Sequence, residues 1–503
     1  MDLPSSLPDD ADRGSLDRRQ FLRLAAATTA VGSAAAAGAA VVSAATRVTT
    51  PPPNLYPLRL APVLDPTASR ISLTPAPTTF DIGGATASGL GFNSGVPGPL
   101  FTVADGTTAT IDVTNGLADP TTVHWHGLVV PTASDGQPHD TIAARGSRTY
   151  TLPIDQRASL NWYHPHPHLK TGSQVALGLT GLFIIRDAEE SALGLPSGAY
   201  ELPIVLRDYS VDKKLALTYS SKSAGYLGTA ALANGTRSAF HLVNKAVYRL
   251  RLLNSSNARV FALRLSNSAS FTLIGNDGGL LASPVSTAEI TLGPAERVDV
   301  LVDLRSATQS VHLRDASTGW SLVEFRLRSG ASTIAYPGTP STLSSITALT
   351  GERRTRTFTF DGMTQINGML FDMTTPAFTV PRAEVERWVF TTGGNGPHPV
   401  HVHGASFQVQ SRTGGRGTVF PWERGWKDTV LLNDGERVEV LIRFDLEGRF
   451  MIHCHKLEHE DGGMMMAFLV GPSTATATAT PSASSAPGPT GAASSTASHH
   501  HGG

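Results

Sequence analysis

The feature that most constrains this fold is the short stretch around its single cysteine, the only one in 503 residues. His453 and His455 flank Cys454, His459 lies four residues beyond His455, and Met464 lies five residues beyond His459. Two imidazoles, a thiolate and a long axial thioether form the ligand set of a blue-copper centre. Cys454, His459 and Met464 supply three of these four ligands, so the fold must bring one further histidine from another part of the chain.

The residues before Cys454 are strand formers, which gives the flanking histidines a second role. Side chains on a strand point alternately to opposite faces. Cys454 is therefore predicted to point one way while His453 and His455 point the other. A metal on the thiolate would then be joined through single peptide units to metals on the imidazoles, which suits an electron-relay enzyme. The plain alternative is a buried cysteine between two core histidines.

Most of the 17 histidines fall into four clusters, which argue against that plain alternative. His-x-His on a strand places both imidazoles on one face, ready to bind one metal or two. Two clusters lie early in the chain and two lie late, so one metal cluster between those parts would account for all four. The clusters are His124 with His126, His164 with His166 and His168, His398 with His401 and His403, and His453 with His455 and His459. His168 is the weakest member of its cluster, and His139, His241 and His312 are predicted to be ordinary surface or core residues.

The rest of the chain predicts an all-β fold in several domains. Short alternating segments are separated by Gly, Pro and Asn, as in β-sandwiches and barrels. They form three blocks, residues 55–190, 199–330 and 354–472, which are predicted to be three β domains. The pattern Gly-x-x-Glu-Arg-Val at Gly293 is echoed at Gly435, which indicates one module used more than once.

The two ends of the chain are predicted to lie outside these domains. Residues 1–46 contain Arg18 and Arg19 before an Ala- and Gly-rich apolar run, the pattern of a twin-arginine export signal. We therefore expect a periplasmic or extracellular protein without a stable membrane span after signal removal; an uncleaved anchor is the alternative. Residues 473–503 are rich in Ser, Thr, Ala, Pro and Gly and are predicted to be a disordered tail.

Charge and cysteine content exclude several classes of function. The formal net charge is −1, and no basic block occurs within the three predicted domains. Nucleic acid and anionic membrane surfaces are therefore not expected as partners. A single cysteine also excludes an intrachain disulfide framework.

With the histidine clusters assembled, residues 55–472 strongly resemble the multicopper oxidases, particularly the bacterial laccase and cuprous-oxidase branch. The four-part histidine pattern is highly specific to that family. The resemblance implies three cupredoxin-like domains and four copper ions: one type-1 copper in the third domain, and one type-2 and two type-3 coppers between the first and third. Further matching motifs are Gly95-Val96-Pro97-Gly98-Pro99, Gly275-Asn276-Asp277-Gly278-Gly279 and Ile366-Asn367-Gly368.

The resemblance also implies a role for each ligand residue, and every ligand position is filled. The implied type-1 ligands are His398, Cys454, His459 and axial Met464; the type-2 ligands are His124 and His401; the type-3 ligands are His126, His164, His166, His403, His453 and His455. Asp135 and Glu460 occupy positions where the family has acidic proton donors. Their plain alternatives are a turn residue before Gly136 and a surface carboxylate.

The implied activity is oxidation of a donor, one electron at a time, coupled to four-electron reduction of O2 to water. The residues that would carry it are Cys454, His453, His455, Asp135 and Glu460. The three domains suggest a monomer.

The donor is a separate question. An axial methionine lowers the copper potential, so phenols, aromatic amines and low-valent metal ions all qualify. The chain has eight methionines and a Ser/Thr-rich segment at 332–353 in place of a Met-rich insert, which favours a laccase with organic donors. A metal oxidase acting on Cu(I), Fe(II) or Mn(II) is the first alternative. A copper-free cupredoxin scaffold in the cell envelope is the second.

Overall fold

The computed structural model describes residues 54–221 and 224–472. These residues form 32 strands, four short α-helices and two short 3-10 helices, which confirms the all-β prediction. The predicted export signal and the predicted disordered tail lie outside the described residues. No helix among the residues described has the length and apolar character needed to cross a membrane.

The first block contains three sheets around an aromatic core. Strands β2-β6-β11-β10-β8 form one sheet, β3-β7-β9 a second and β4-β5 a hairpin. In β7, Ala109, Ile111 and Val113 are buried while the threonines at its ends are exposed, the alternation expected of a strand with one face on a core. The strands are β1 (Tyr56–Pro57), β2 (Val63–Leu64), β3 (Ile71–Leu73), β4 (Pro75–Asp81), β5 (Thr86–Phe92), β6 (Leu100–Ala104), β7 (Thr108–Thr114), β8 (His124–His126), β9 (Ser147–Pro153), β10 (Ser159–His164) and β11 (Gly181–Arg186).

The second block forms two six-stranded sheets that face each other across one apolar core. Their orders are β1-β14-β22-β21-β16-β19 and β13-β12-β15-β20-β17-β18, so β1 joins a sheet of the second block. The strands are β12 (Glu201–Tyr209), β13 (Ala230–Ala233), β14 (Ala239–Val243), β15 (Val247–Asn254), β16 (Phe261–Leu265), β17 (Phe271–Asn276), β18 (Gly279–Thr287), β19 (Ile290–Leu292), β20 (Arg297–Asp303), β21 (Val311–Asp315) and β22 (Ser321–Leu327).

The third block forms two five-stranded sheets, β24-β23-β26-β30-β28 and β25-β32-β31-β27-β29. Apolar side chains from both sheets, including Trp388, Phe407 and Phe450, make one buried core. The strands are β23 (Arg354–Asp361), β24 (Gln365–Ile366), β25 (Phe378–Pro381), β26 (Val385–Thr392), β27 (His398–Val402), β28 (Phe407–Thr413), β29 (Thr429–Leu432), β30 (Arg437–Arg443), β31 (Gly448–Cys454) and β32 (Met465–Gly471). The division of the chain into domains at the boundaries given above stays a prediction.

The helices are short and lie in connections between strands. They are α1 (Thr132–Asp135), α2 (Thr171–Ala176), α3 (Ala188–Ala192) and α4 (Leu457–Asp461), with 3-10 turns at Gly198–Tyr200 and Pro421–Glu423. The first and third blocks meet where α2 and α4 pack together. There the Asp461 carboxylate accepts hydrogen bonds from the backbone N–H groups of Thr171 and Gly172 at 3.0 and 2.9 Å. This contact fixes α4 directly after the cysteine strand.

Candidate metal centres

Two pairs of antiparallel strands bring eight histidines together. In the first block β8 pairs with β10, so that His164 lies opposite His124. In the third block β27 pairs with β31, so that His401 lies opposite His453. Every member of the resulting histidine cluster is at most 1% exposed. The histidine cluster consists of His124, His126, His164, His166, His401, His403, His453 and His455.

Nitrogen atoms from both blocks converge within this cluster. Ligand atoms of three trios lie within 4.8 Å of one another: His124 with His401 and His403, His124 with His126 and His164, and His166 with His403 and His453. The imidazoles of His126 and His401 stack with centroids 3.7 Å apart, and those of His124 and His403 stack at 4.0 Å. Each stack joins a residue of the first block to one of the third, so neither block holds the cluster alone.

Hydrogen bonds on the outer side of the cluster fix the imidazoles. The Nδ1 atoms of His124, His164 and His401 lie 2.8, 2.8 and 2.9 Å from backbone carbonyl oxygens. A carbonyl only accepts hydrogen bonds, so each Nδ1 carries the proton and each Nε2 keeps a lone pair. Those three Nε2 atoms are buried and have no hydrogen-bond partner. Buried unpaired acceptors are costly, and a bound metal ion would satisfy them, so the donor set fits copper.

Burial also keeps most of these histidines neutral, as metal ligands must be. It lowers the pKa of His124, His126, His164, His401 and His403 well below the usual value. Burial likewise lowers the pKa of His455, to about 3.

His166 is the exception. Burial alone would lower its pKa, but the Glu460 carboxylate lies 2.9 Å from its Nδ1 and makes the net shift upward. Burial would raise the pKa of Glu460, and the facing His166 and His453 instead bring it well below its usual value. Glu460 therefore faces two imidazoles of the cluster, with oxygens 2.9 Å from His166 Nδ1 and 3.3 Å from His453 Nδ1.

A second, smaller centre surrounds the cysteine. The Cys454 Sγ lies 3.5 Å from His398 Nδ1 and 3.8 Å from His459 Nδ1, and these two nitrogens are 3.3 Å apart. An ion bound to three such ligands, with metal–nitrogen bonds of about 2.0 Å and a metal–sulfur bond of about 2.3 Å, would separate them by about 3.5 to 3.8 Å. The observed triangle therefore fits one metal ion.

The surroundings of the sulfur are apolar. Met464 is fully buried in the same core as Cys454, and the Lys456 backbone N–H donates a hydrogen bond to Sγ at 3.4 Å. Burial raises the pKa of the Cys454 thiol to about 12. Without a cation the thiol thus keeps its proton, and a bound metal would displace it.

The two acidic residues singled out from the sequence both reach the histidine cluster. Asp135 Oδ2 lies 2.8 Å from His403 Nδ1, while its Oδ1 is buried without a hydrogen-bond partner. Burial raises the pKa of this carboxyl. Asp135 also ends α1 before Gly136, whose φ is 76°, so it is a turn residue as well as a neighbour of the site. Glu460 is 1% exposed, so the surface-carboxylate alternative is wrong for this residue.

Among the described residues, His168, His139 and His312 belong to none of the possible metal-binding groups. His168 is half-buried and packs edge-on against Phe371, with ring centroids 5.4 Å apart. His139 lies 3.9 Å from Asp140, and the Nδ1 of His312 lies 2.9 Å from a serine hydroxyl on the neighbouring strand. The structure therefore leaves His168, the weakest member of its sequence cluster, outside the metal-binding groups, and it places His398 and His459 at the cysteine, as the resemblance implied.

Sequence reasoning missed two residues that contact the cluster and a third that contacts one of them. Asp428 Oδ1 lies 3.1 Å from His126 Nε2, and Thr429 Oγ1 lies 3.2 Å from both His126 Nε2 and His401 Nδ1. Arg297 forms an ion pair with Asp428 and belongs to the second block. No local pattern marks the first two residues; the Gly-x-x-Glu-Arg-Val repeat contains Arg297 but gives it no role.

Comparison with known proteins decides the family. Three family models, each described as multicopper oxidase, match residues 76–190, 213–339 and 337–474. "Multicopper oxidase mco" of Staphylococcus haemolyticus is 34% identical over 385 residues, which are 75% of this chain and 82% of the relative. The chain belongs to the multicopper oxidase family. This multicopper oxidase is thus an oxidoreductase that uses O2 and a donor substrate, and its family implies copper cofactors.

The names of other relatives differ. A laccase of Bacillus subtilis is 30% identical over 69% of this multicopper oxidase and 78% of the relative. Cell division protein FtsP of Sodalis glossinidius is 30% identical over 78% of this chain and 87% of the relative. A multi-copper oxidase structure from Pediococcus acidilactici has a TM-score of 0.79 at 34% identity, covering 84% of this chain and 92% of that one. A metallo-oxidase structure from Campylobacter jejuni has a TM-score of 0.71 at 26% identity, covering 83% and 98%.

Proposed function

We propose that this protein is a laccase-like oxidase that couples one-electron oxidation of phenols and aromatic amines to reduction of O2 to water. The observation that carries the proposal is the position of Cys454 between two centres. Its sulfur faces His398 and His459, while the adjacent His453 and His455 belong to the histidine cluster. A donor site and an oxygen site are therefore joined by one continuous piece of backbone.

The proposal assigns four copper ions to these residues, one held by His398, Cys454, His459 and Met464, and three held by the histidine cluster. When bound, copper supplies the one-electron redox chemistry and the reduction of O2. The chain holds the donor atoms rigidly, because β31 lies between β32 and β27 in the middle of its sheet. It also keeps water from the cysteine, which is fully buried.

We propose that oxygen approaches the cluster from a neighbouring cleft. A cleft of about 310 Å³ is lined in part by Trp426, Leu349 and Gly404. Gly404 also lines a hollow of about 10 Å³ beside His124 and His401. The cleft and the hollow therefore share a lining residue and lie next to each other.

Protons for water formation are proposed to come through Asp135 and Glu460. Burial raises the pKa of the Asp135 carboxyl, which favours its holding a proton, and its unpaired Oδ1 is the atom free to carry one. Glu460 lies 2.9 Å from His166 Nδ1 and 3.3 Å from His453 Nδ1. The two carboxyls thus contact different imidazoles and would have different roles. The raised pKa lets Asp135 hold and donate a proton, whereas the lowered pKa leaves Glu460 ionised, so that it would pass on a proton received from outside or from His166.

A specific observation favours metal-ion oxidation as a second candidate. The Phe371 backbone N–H donates to the Gly463 carbonyl at 3.2 Å, so its loop lies beside Met464, which would complete the ligand set of the cysteine centre. On this loop Met369 is 47% exposed and Met373 is 40% exposed. Exposed thioethers are ligands that select Cu(I). If Cu(I) is the donor, changing both methionines to leucine raises its KM while leaving the KM of a phenol unchanged.

A copper-free scaffold role is the third candidate, and the complete donor set argues against it. Burying so many imidazoles with unpaired Nε2 atoms has a free-energy cost that a protein without metal would have no reason to keep. We also propose export to the periplasm or outside the cell, supported by the Arg18-Arg19 motif, and a monomeric state.

The test is a visible spectrum of the copper-loaded protein, followed by a phenolic donor under air in the same cuvette. We expect an intense blue band that bleaches with donor and returns with O2. Cys454→Ser removes the band, whereas Met466→Leu, a change at a neighbouring buried methionine, leaves it in place. A wild-type protein that holds copper but shows no blue band would contradict the proposal.

A further inference from the structure

The second block contributes no histidine to the cluster, yet one of its side chains reaches the point where the other two blocks meet. The Arg297 side chain is fully buried. Its Nη1 donates to Asp428 Oδ1 at 2.7 Å, its Nη2 donates to Asp428 Oδ2, and its Nε donates to the Leu160 carbonyl at 2.9 Å. Leu160 lies on β10, the strand that ends at His164. One guanidinium therefore contacts the first and third blocks at once.

Asp428 transmits this contact to two stacked imidazoles. Its Oδ1 lies 3.1 Å from His126 Nε2, and its backbone carbonyl accepts from His401 Nδ1 at 2.9 Å. The Thr429 hydroxyl lies 3.2 Å from each of these nitrogens and donates to Asp428 Oδ1 at 2.8 Å. Because Nε2 of His126 is occupied in this way, its buried and unpartnered Nδ1 is the atom left to face the cluster.

The glycine at position 127 allows Arg297 and Asp428 to lie close to the strand that carries His126. A side chain on Gly127, the residue after His126, would bring its Cβ to 2.3 Å from Asn161 Oδ1, 2.8 Å from Arg297 Nη2 and 3.1 Å from Asp428 Oδ2. Gly127 also has a φ of 91°, where a side chain is strained. Glycine is thus required here so that the guanidinium can lie against the histidine strand.

A second ion pair supports the same junction. Lys427 Nζ lies 2.8 Å from the Asp277 carboxylate, and the Arg297 backbone N–H donates to Asp277 Oδ1 at 2.7 Å. Asp277 belongs to the Asn-Asp-Gly motif and Arg297 to the Gly-x-x-Glu-Arg-Val motif, the two sequence motifs of the second block that supply no ligand. Both motifs converge on the segment that carries Asp428.

We propose that Arg297, Asp428 and Thr429 form a clamp that sets the orientation of His126 and His401, so that the second block positions ligands it does not itself provide. They are positioning residues and touch neither donor nor O2. The fork of a guanidinium holds both carboxylate oxygens at once, whereas a lysine holds a carboxylate as a point charge. The clamp rests on the proposed copper assignment of these two histidines.

The test compares Arg297→Lys with Arg412→Lys. The guanidinium group of Arg412 is equally buried, but its ion pairs and hydrogen bonds go to Glu423, Glu436 and a backbone carbonyl within the third block. Both variants keep the positive charge but lose the paired hydrogen bonds of the guanidinium group, so both are expected to lower thermal stability. Only Arg297→Lys is expected to change the electron paramagnetic resonance spectrum of the type-2 copper. It is also expected to lose copper to a chelator about 10- to 100-fold more readily than wild type, the usual effect of disturbing residues that orient metal ligands.

Thr429→Val provides a second test that removes no charged side chain. It removes the hydroxyl that touches both imidazoles and donates to Asp428 Oδ1, and we expect an altered type-2 spectrum with an unchanged blue band. If Arg297→Lys matches Arg412→Lys in spectrum and copper loss, or if Thr429→Val matches wild type, the clamp is refuted while the proposed function stands. A wild-type protein that binds no copper would overturn both proposals.

Discussion

Glu190 on α3 is predicted to be among the most sensitive single positions for stability. Its carboxylate is 5% exposed and lies 2.5 Å from Arg249 Nη2 and 3.4 Å from Arg186 Nη1, with Arg251 also in contact. α3 follows the last strand of the first block, whereas Arg249 and Arg251 lie on β15 of the second block. Glu190→Gln keeps the shape of the side chain but leaves the buried guanidinium groups of Arg249 and Arg251, and the partly exposed one of Arg186, with one fewer anion.

The pKa of Glu190 gives the size of the effect. Burial alone would raise this pKa, but Arg251, Arg249 and Arg186 lower it from 4.5 to about 2. At about 1.4 kcal/mol per pKa unit, the ionised carboxylate contributes about 3 kcal/mol near neutral pH. Breaking a buried ion pair by removing one partner costs about 3 to 5 kcal/mol in other proteins, which agrees.

The assay is thermal unfolding of copper-loaded protein at fixed scan rate. With an unfolding entropy of about 2.1 cal/mol/K per residue, a loss of 3 kcal/mol lowers the midpoint by about 4 °C if all three blocks unfold together, and by about 11 °C if the second block unfolds alone. Glu289→Gln is the control, because Glu289 and its partner Arg264 are 37% and 59% exposed. An exposed pair contributes at most about 1 kcal/mol.

The pH dependence supplies an independent check. A carboxyl with a depressed pKa stabilises the fold fully above its unfolded value of 4.5 and loses that contribution as pH falls toward about 2. At pH 3.5 about 1.4 kcal/mol of the contribution should already be gone, so the gap between wild type and Glu190→Gln should narrow. Equal midpoints for Glu190→Gln and Glu289→Gln at pH 7, or a gap that does not narrow in acid, would refute this reasoning.

Three further predictions concern the metal centres. Met464→Leu should keep the blue band and raise the type-1 potential, measured by redox titration, because the axial thioether is lost; an unchanged potential would mean that Met464 is not a ligand. Asp135→Asn should slow O2 reduction by about 100-fold or more, with donor oxidation at the cysteine centre unchanged in stopped-flow traces, if the carboxyl is a proton donor. Removing copper with a chelator should lower the unfolding midpoint and its restoration should recover it, since ligand binding to the folded state alone is stabilising; equal midpoints would argue against copper at these buried nitrogens.

Much of the site could be predicted because its ligands occur in short local patterns. Alternation along a strand was enough to separate Cys454 from His453 and His455, and in the structure Cys454 faces His398 and His459 while His453 joins the histidine cluster. The same rule grouped His124 with His126. Such patterns are encoded by neighbouring residues and need no knowledge of the fold.

The orientation of those ligands depends on contacts between residues far apart in the chain. Arg297 reaches Asp428 across 131 positions, and Asp428 reaches His126 across 302 positions. The residues next to Asp135 in the chain identify it only as a turn residue. It contacts His403 because the first and third blocks meet. Glu460 is similar, since nothing beside it in the chain indicates that His166 faces it.

The amino-acid sequence therefore specified which chemistry this protein carries: the ligand types, their alternation on strands and the all-β character of the chain. The packing of the three blocks specified how that chemistry is held: which nitrogen atoms of the imidazoles face inward, which carboxyls are buried, and that the second block reaches the cluster through Arg297 and Asp428. The physical reason is the distance along the chain between the residues that interact. Strand periodicity and ligand type are properties of adjacent residues, whereas hydrogen-bond partners and desolvation arise only when distant segments pack together.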